Sequence, residues 1–259
     1  MNLAEQLEVL RRKGFSEEQA QVIALMREAA TVVFRRWPES FILHGGANLV
    51  LFQESVRHSA DLDLHLRSDL PPAAQVADVL REGLEPLAKL LEQHPLGVNV
   101  LRPGQDLIGV SSPAGGVLFT IDLNRMGSVI QSGIEEQLLE GLGTRDTANV
   151  KFVSRDHLLL QKAEAFLLRR FVKARDAYDI RFLLDSGARL NGHLRDHLAD
   201  LLLGDIDREQ INERIASVTD DLCRAELKGF LPKARYEALE KEHFQSLKDG
   251  LSELFGEWL

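Results

Sequence analysis

The stretch FILHGGANLVLFQESVRHSADLDLHL, residues 41–66, decides how this chain is to be read. Phe41-Ile42-Leu43 is a short apolar run of strand character; His44-Gly45-Gly46 follows as a tight-turn signal and Ala47 to Gln53 as a short helix. Asp61-Leu62-Asp63-Leu64-His65-Leu66 then alternates strictly. Successive side chains of a strand point to opposite faces, so Leu62, Leu64 and Leu66 share one face and Asp61, Asp63 and His65 the other. The segment predicts a half-buried strand with an acidic face, close in sequence to a glycine corner.

Two carboxylates on one face, two positions apart, can hold one or two divalent cations between them, and oxygen donors favour hard metals such as Mg²⁺. An Asp-x-Asp alone says little, and a second one exists at Asp205-Ile206-Asp207. There Gly204 precedes a helix-to-helix connection, and Asp207 reads as an N-cap rather than a ligand. What distinguishes Asp61 and Asp63 is their context. Gly45 and Gly46 carry no side chain and stand before a helix, so their backbone amides can approach a triphosphate closely. Asp122 lies in Leu118-Phe119-Thr120-Ile121-Asp122-Leu123, an isolated acid among strand-forming residues, where a carboxylate is costly unless paired or solvated. Beside the 61–66 strand it would complete a three-carboxylate cluster and accept a proton from an attacking hydroxyl; otherwise it is a strand-end acid facing water.

Working outward, Leu3 to Trp37 reads as helix, with Leu3, Leu7 and Leu10 at helical spacing, a break at Gly14 and a restart at Ser16. Gln19 makes Ser16 a capping box, and Pro38 ends the helix. Pro71 and Pro72 open a helix from about Ala73 to Gln93 that Pro86 is expected to kink or divide. Strands follow at Val98 to Arg102, Leu107 to Ser111 and Val117 to Asn124, separated by Pro103-Gly104 and Pro113-Ala114-Gly115-Gly116 turns. From Ser154 the pattern turns helical: Arg155 to Val172, Ala174 to Ser186, Leu194 to Leu203, Arg208 to Leu222 and Lys233 to Phe255. Ser154 and Asp156 act as starts, and Gly187, Gly204 and Gly229 as stops. The expected division is an α/β domain with N-terminal helices over residues 1–150 and a helical domain over 151–259.

The 259 residues suffice to bury a core without cross-links, and the single Cys223 can form no internal bridge, which suits a reducing cytoplasm. The first ten residues lack the basic and apolar regions of a signal peptide, and no apolar run nears the roughly 20 residues that span a bilayer. No membrane partner is expected. A net charge of −9 argues against broad attraction to phosphate backbones while leaving local basic faces open.

The segment Arg57-His58-Ser59-Ala60-Asp61-Leu62-Asp63 behind its Gly-Gly corner, and a second block QKAEAFLLRRFVKARDAYDIRFLL at 161–184, follow one another in a familiar order. With Asp122 they span residues 41–184, and together they resemble the AbiEii/AbiGii, or MenT-like, branch of the polymerase-beta-type nucleotidyltransferases. The resemblance implies an α+β fold: an N-terminal nucleotidyltransferase-type mixed sheet with flanking helices, then a C-terminal helical bundle. It implies Asp61, Asp63, Asp122, Lys162 and Asp176 as catalytic residues and Gly45, Gly46, Ser59 and Lys162 as the nucleotide site. Mg²⁺, or Mn²⁺ in its place, would sit on Asp61, Asp63 and Asp122. The implied activity is transfer of a nucleoside monophosphate from an NTP to an acceptor hydroxyl, by the toxin of a type IV toxin-antitoxin or phage-defence system. Its partners would be an NTP, tRNA or another RNA, and a cognate antitoxin.

His44, Asn48 and Ala60 depart from the family's usual residue types and bear on the base and acceptor preferences, not on the metal ligands. Physically, Lys162 can neutralise a substrate phosphate and Asp176 can accept hydrogen bonds from Arg or Lys. Arg169, Arg170, Lys173 and Arg175 form a local basic cluster suited to RNA phosphates, or else solvated helix faces. The residues themselves leave the acceptor open between RNA, a protein side chain and a small molecule such as an aminoglycoside. They also leave open a noncatalytic nucleotide- or protein-binding module on the same scaffold, and a purely structural helical adaptor.

Overall fold

The alternating segment forms a strand whose apolar face is sealed by two helices, and that arrangement organises the first half of the chain. The computed structural model describes residues 2–66, 71–101, 106–125 and 133–256. It packs as two compact units, Met1–Val153 and Ser154–Leu259.

In the first unit the order is α1 (Leu3–Arg12), α2 (Glu17–Arg36), β1 (Phe41–His44), α3 (Gly45–Leu51), β2 (Asp61–Leu66), α4 (Ala73–Leu90), β3 (Gly97–Val100), β4 (Leu107–Ser111), β5 (Val117–Arg125), β6 (Ile134–Glu140) and β7 (Thr147–Val153). The Ser16–Gln19 capping box starts α2 as expected. The strands make one mixed sheet in the order β3-β4-β5-β2-β1-β7-β6. β2 runs antiparallel to β1 and parallel to β5. Phe41, Leu43, Leu62, Leu64, Ile121 and Leu123 point from the central strands into one core with Val33 and Phe34 of α2 and Val76, Leu80, Leu84 and Leu87 of α4. Each of these side chains is buried, by the order of 1.5–3 kcal/mol apiece in transfer terms, so a one-residue slip of β2 would expose its leucines and bury its acids.

Several expectations shift. Gly45 and Gly46 are the first residues of α3 rather than a separate turn. Pro86 lies within α4, which continues through it without dividing. The edge hairpin β6–β7 gave no strand signal: Ile134–Glu140 reads IEEQLLE, mostly exposed helix-forming residues held in a strand by pairing with β7. A buried carboxylate fixes its turn, because Glu28 of α2 accepts hydrogen bonds from Leu142 N, Gly143 N, Thr144 N and Thr144 Oγ1 at 2.5–3.1 Å. The expected Pro103-Gly104 turn, the Arg102 strand end and the side chain of Leu66 lie outside the described residues.

The second unit is helical throughout: α5 (Arg155–Leu168), α6 (Ala174–Asp185), α7 (His193–Asp205), α8 (Arg208–Ala216), α9 (Asp220–Leu227), α10 (Lys233–Lys241) and α11 (Gln245–Phe255). Asp207 caps α8 in a full capping box with Gln210, as its sequence position suggested. Gly204 stops nothing, lying inside α7. Two expected long helices are each divided. Thr219 caps a new helix by accepting from Leu222 N, and His243 and Phe244 both turn to positive φ, which brings Phe244 to full burial. Ser154 makes no side-chain cap bond; its hydroxyl pairs with His157 Nδ1 at 3.0 Å. α5 ends at Leu168 rather than Val172, where Arg214 takes the carbonyls of Phe166 and Arg169 and the chain turns extended. Among the described residues no helix is long and apolar enough to cross a membrane.

Candidate active site

On the sheet face opposite α2 and α4, pairing brings the acids together. Asp63 stands directly beside Asp122, and Asp61 beside Thr120, on the parallel strands β2 and β5. On the other side of β2, His44 at the end of β1 stands opposite Asp63. Thr120 Oγ1 donates to Asp61 Oδ1 at 2.8 Å. The His44 and His65 rings meet edge to face with centroids 3.5 Å apart, next to Asp63 on the same face.

The glycine corner is built against these groups. Gly45 has φ +68°, and a Cβ placed on it would lie 2.1 Å from Asp63 Oδ2; a Cβ on Gly46 would lie 2.5 Å from Ser59 Oγ and 2.9 Å from Arg57 Nη2. Only glycine at both positions allows the start of α3 to lie against Asp63 and Ser59. Ser59 is buried and donates to the Asp61 carbonyl at 3.3 Å. Arg57, equally buried, donates through Nη1 to the His58 carbonyl at 3.0 Å. Buried Asn48 ties α3 to the sheet, its Nδ2 donating to the Val153 carbonyl at 2.8 Å.

Burial raises the Asp122 carboxyl above its ordinary range; a hydrogen bond from Asn124 works against this, and the charges of Asp61 and Asp106 add to it. Burial also holds His58 neutral, down to about 4, with the Arg57 charge helping and the Asp61 charge opposing. His65 is lowered by burial.

Within the second unit, Lys162 and Asp176 are brought together, though not on a solvated helix face. Lys162 Nζ lies 2.9 Å from Asp179 and 3.4 Å from Asp176, and Arg169 lies 2.5 Å from Asp176. Both acids are fully buried and Lys162 is 11 % exposed. The neighbouring cations are engaged too: Lys173 with Glu226 at 3.2 Å, Arg175 over the Phe230 ring and Arg170 over Phe171.

A model of the AbiEii nucleotidyl transferase toxin of type IV toxin-antitoxin systems matches residues 29–258. The chain belongs to this AbiEii nucleotidyltransferase toxin family. In sequence, no curated protein matches it. A putative nucleotidyltransferase from H. pylori superposes with a TM-score of 0.52 at 14 % identity, covering 98 % of this chain and 96 % of that one. JHP933 from Helicobacter pylori gives 0.50 at 14 %, covering 99 % and 93 %. MenT4, the nucleotidyltransferase toxin Rv2826c from Mycobacterium tuberculosis H37Rv, gives 0.49 at 15 %, covering 96 % and 90 %. The two Helicobacter similarities bear on the fold, which is that of a nucleotidyltransferase: a mixed sheet with flanking helices, then a helical half.

The AbiEii acid face suits a divalent cation by its donor chemistry: hard oxygens on adjacent strands, where burial first and the charges of Asp61 and Asp106 second raise Asp122. Among the described residues no three His, Cys, Asp or Glu side chains close round one point. Mg²⁺ needs no such cage, because it takes one or two carboxylates and fills its shell from water and substrate phosphates. Three site neighbours escaped the sequence reading. Thr120 was legible in principle, since Thr120-x-Asp122-x-Asn124 alternates as Asp61-x-Asp63 does. Arg57 stood in the quoted motif without being given a role, and Asp106 carried no signal of its own, because it reaches its place through tertiary contacts alone.

Proposed function

We propose that this nucleotidyltransferase moves a nucleoside monophosphate from an NTP to an acceptor hydroxyl on RNA, tRNA being the first candidate, with a divalent cation in the cytoplasm. The observation that carries the reading is the position of Asp63, pressed against Gly45 on one side and in register with Asp122 on the other. Mg²⁺, with Mn²⁺ as its substitute, would be held by Asp61 and Asp63, with Asp122 either completing its shell or acting as the base, and when bound supplies positive charge to the phosphate oxygens and the leaving pyrophosphate.

The chain's own groups do the rest. Gly45 and Gly46 let the start of α3 lie against Asp63 and Ser59, which brings backbone amides close to the carboxylates beside which the triphosphate would bind. Ser59 holds the Asp61 backbone from below. Asp122, with its raised carboxyl, takes the proton of the acceptor hydroxyl as that oxygen attacks the α-phosphorus. In the helical unit, the Lys162 ammonium is engaged by Asp176 and Asp179, and Lys162 is proposed as a phosphate-neutralising cation on the family resemblance. Support for RNA is the pairing of Arg170 with Phe171, a ring 66 % exposed, which suits an unpaired base and its phosphate. Family membership supports a cognate antitoxin as the second partner.

The test is incubation of purified protein with each α-labelled NTP, Mg²⁺ and total RNA. One NTP should label RNA and release pyrophosphate, and Asp63→Ala should abolish labelling with an unchanged circular-dichroism spectrum. Undiminished labelling by folded Asp63→Ala would defeat the assignment. Metal-dependent NTP binding with no pyrophosphate released would identify a noncatalytic module instead.

A further inference from the structure

Asp61 opens β2 and is exposed, a setting in which an aspartate side chain ordinarily samples several rotamers. Here it is held twice. Ser59 Oγ donates to its backbone carbonyl at 3.3 Å, and Thr120 Oγ1 donates to its Oδ1 at 2.8 Å. Thr120 is itself fixed. It pairs in register with Asp61, its N–H donates to the Ala60 carbonyl at 2.9 Å, and its branched Cβ restricts the side-chain torsion that aims the hydroxyl. A hydroxyl donor on one carboxylate oxygen selects both the rotamer and the oxygen left for another partner.

We infer that Thr120 is the positioning residue of Asp61, occupying Oδ1 so that Oδ2 is presented to the cation. Nothing in the family signature of the 57–63 segment calls for it, and Asp63 is oriented differently, by contact with Gly45. The inference rests on the proposed reading of Asp61 as a metal ligand. Outer partners of this kind typically change metal affinity by about 10–100-fold when lost, with little effect on folding.

The experiment follows free Mn²⁺ by electron paramagnetic resonance during titration into the full-length protein, alongside circular-dichroism melts. Thr120→Val, which keeps the shape and removes the donor, should weaken Mn²⁺ binding about 10-fold with a melting temperature close to wild type. Thr120→Ser should bind as wild type does, and Asp61→Asn should lose most binding. Thr120→Ala serves as a second donor-less variant should the valine disturb the strand. Saturating Mn²⁺ should restore nucleotide incorporation by Thr120→Val, whereas general damage to the fold would lower it at every metal concentration. Wild-type Mn²⁺ affinity in both donor-less variants, with Asp61→Asn defective, would overturn the role of Thr120 and leave the site reading standing. Wild-type protein that binds Mn²⁺ no better than Asp61→Asn would overturn both.

Discussion

Gly45 shows how one missing side chain lets backbone pack directly against a carboxylate. Its φ of +68° is a left-handed conformation, and its absent Cβ is the space that Asp63 Oδ2 occupies. Gly45→Ala should therefore lose about 1–3 kcal/mol of stability and about 100-fold in transfer rate, because the carboxylate must move aside. A control is Gly116→Ala, whose added methyl meets nothing nearer than 3.7 Å; it should leave the melt and the labelling rate unchanged. Asp122 makes the opposite kind of prediction. Its carboxyl is raised chiefly by burial, so its ionised form is disfavoured in the fold. That penalty is absent in acid, where the group is protonated in both states, and grows as pH rises through the unfolded value to the folded one. At pH 7 without divalent ions, Asp122→Asn should melt higher than wild type by about 2 °C while losing transfer, and at pH 3 the gain should vanish. A variant that melts lower at pH 7 would contradict the electrostatic account.

Among the elements, α5 and α6 are locked by the cluster of Lys162, Arg169, Asp176 and Asp179. Lys162→Met would leave two fully buried carboxylates with half their compensation. A loss of about 3–5 kcal/mol in urea unfolding is expected, and adding Asp176→Asn and Asp179→Asn to it should recover much of that loss. If Lys162→Met melts like wild type, the cluster is not what joins these helices. Element ends mark where reading by propensity stops working. Ser16 and Asp207 cap their helices as written, since a cap is made from residues three apart. The Thr219 cap is equally local and was passed over, whereas the break at Phe244 and the early end of α5 were not legible, because they follow from burying Phe244 and from Arg214 reaching back to α5 from forty-odd residues away.

At the scale of the molecule, three imidazoles are held neutral by burial. His58 is lowered to about 4, and His65 and His157 lie below their ordinary value. Folded values below unfolded ones mean that the unfolded chain takes up these protons first. Stability is then full above pH 6.5 and is lost as pH falls towards 4. His58 alone should remove about 2 kcal/mol between pH 7 and pH 5, read as a drop in the urea midpoint that His58→Gln flattens. A wild-type midpoint that holds constant over that range would contradict it.

The period-2 alternation of residues 61–66 determined by itself that Asp61 and Asp63 share a face, because side-chain direction along a strand is local geometry. Caps, the glycine corner and the change to helices after Ser154 were legible for the same reason. That Asp122 stands beside Asp63, that Thr120 reaches Asp61 across 59 residues, and that Lys162 is enclosed by two acids were settled only by the tertiary structure. Which strands adjoin, and which charges share one buried space, depend on how apolar faces are covered over the whole unit, and no short window of sequence contains that information.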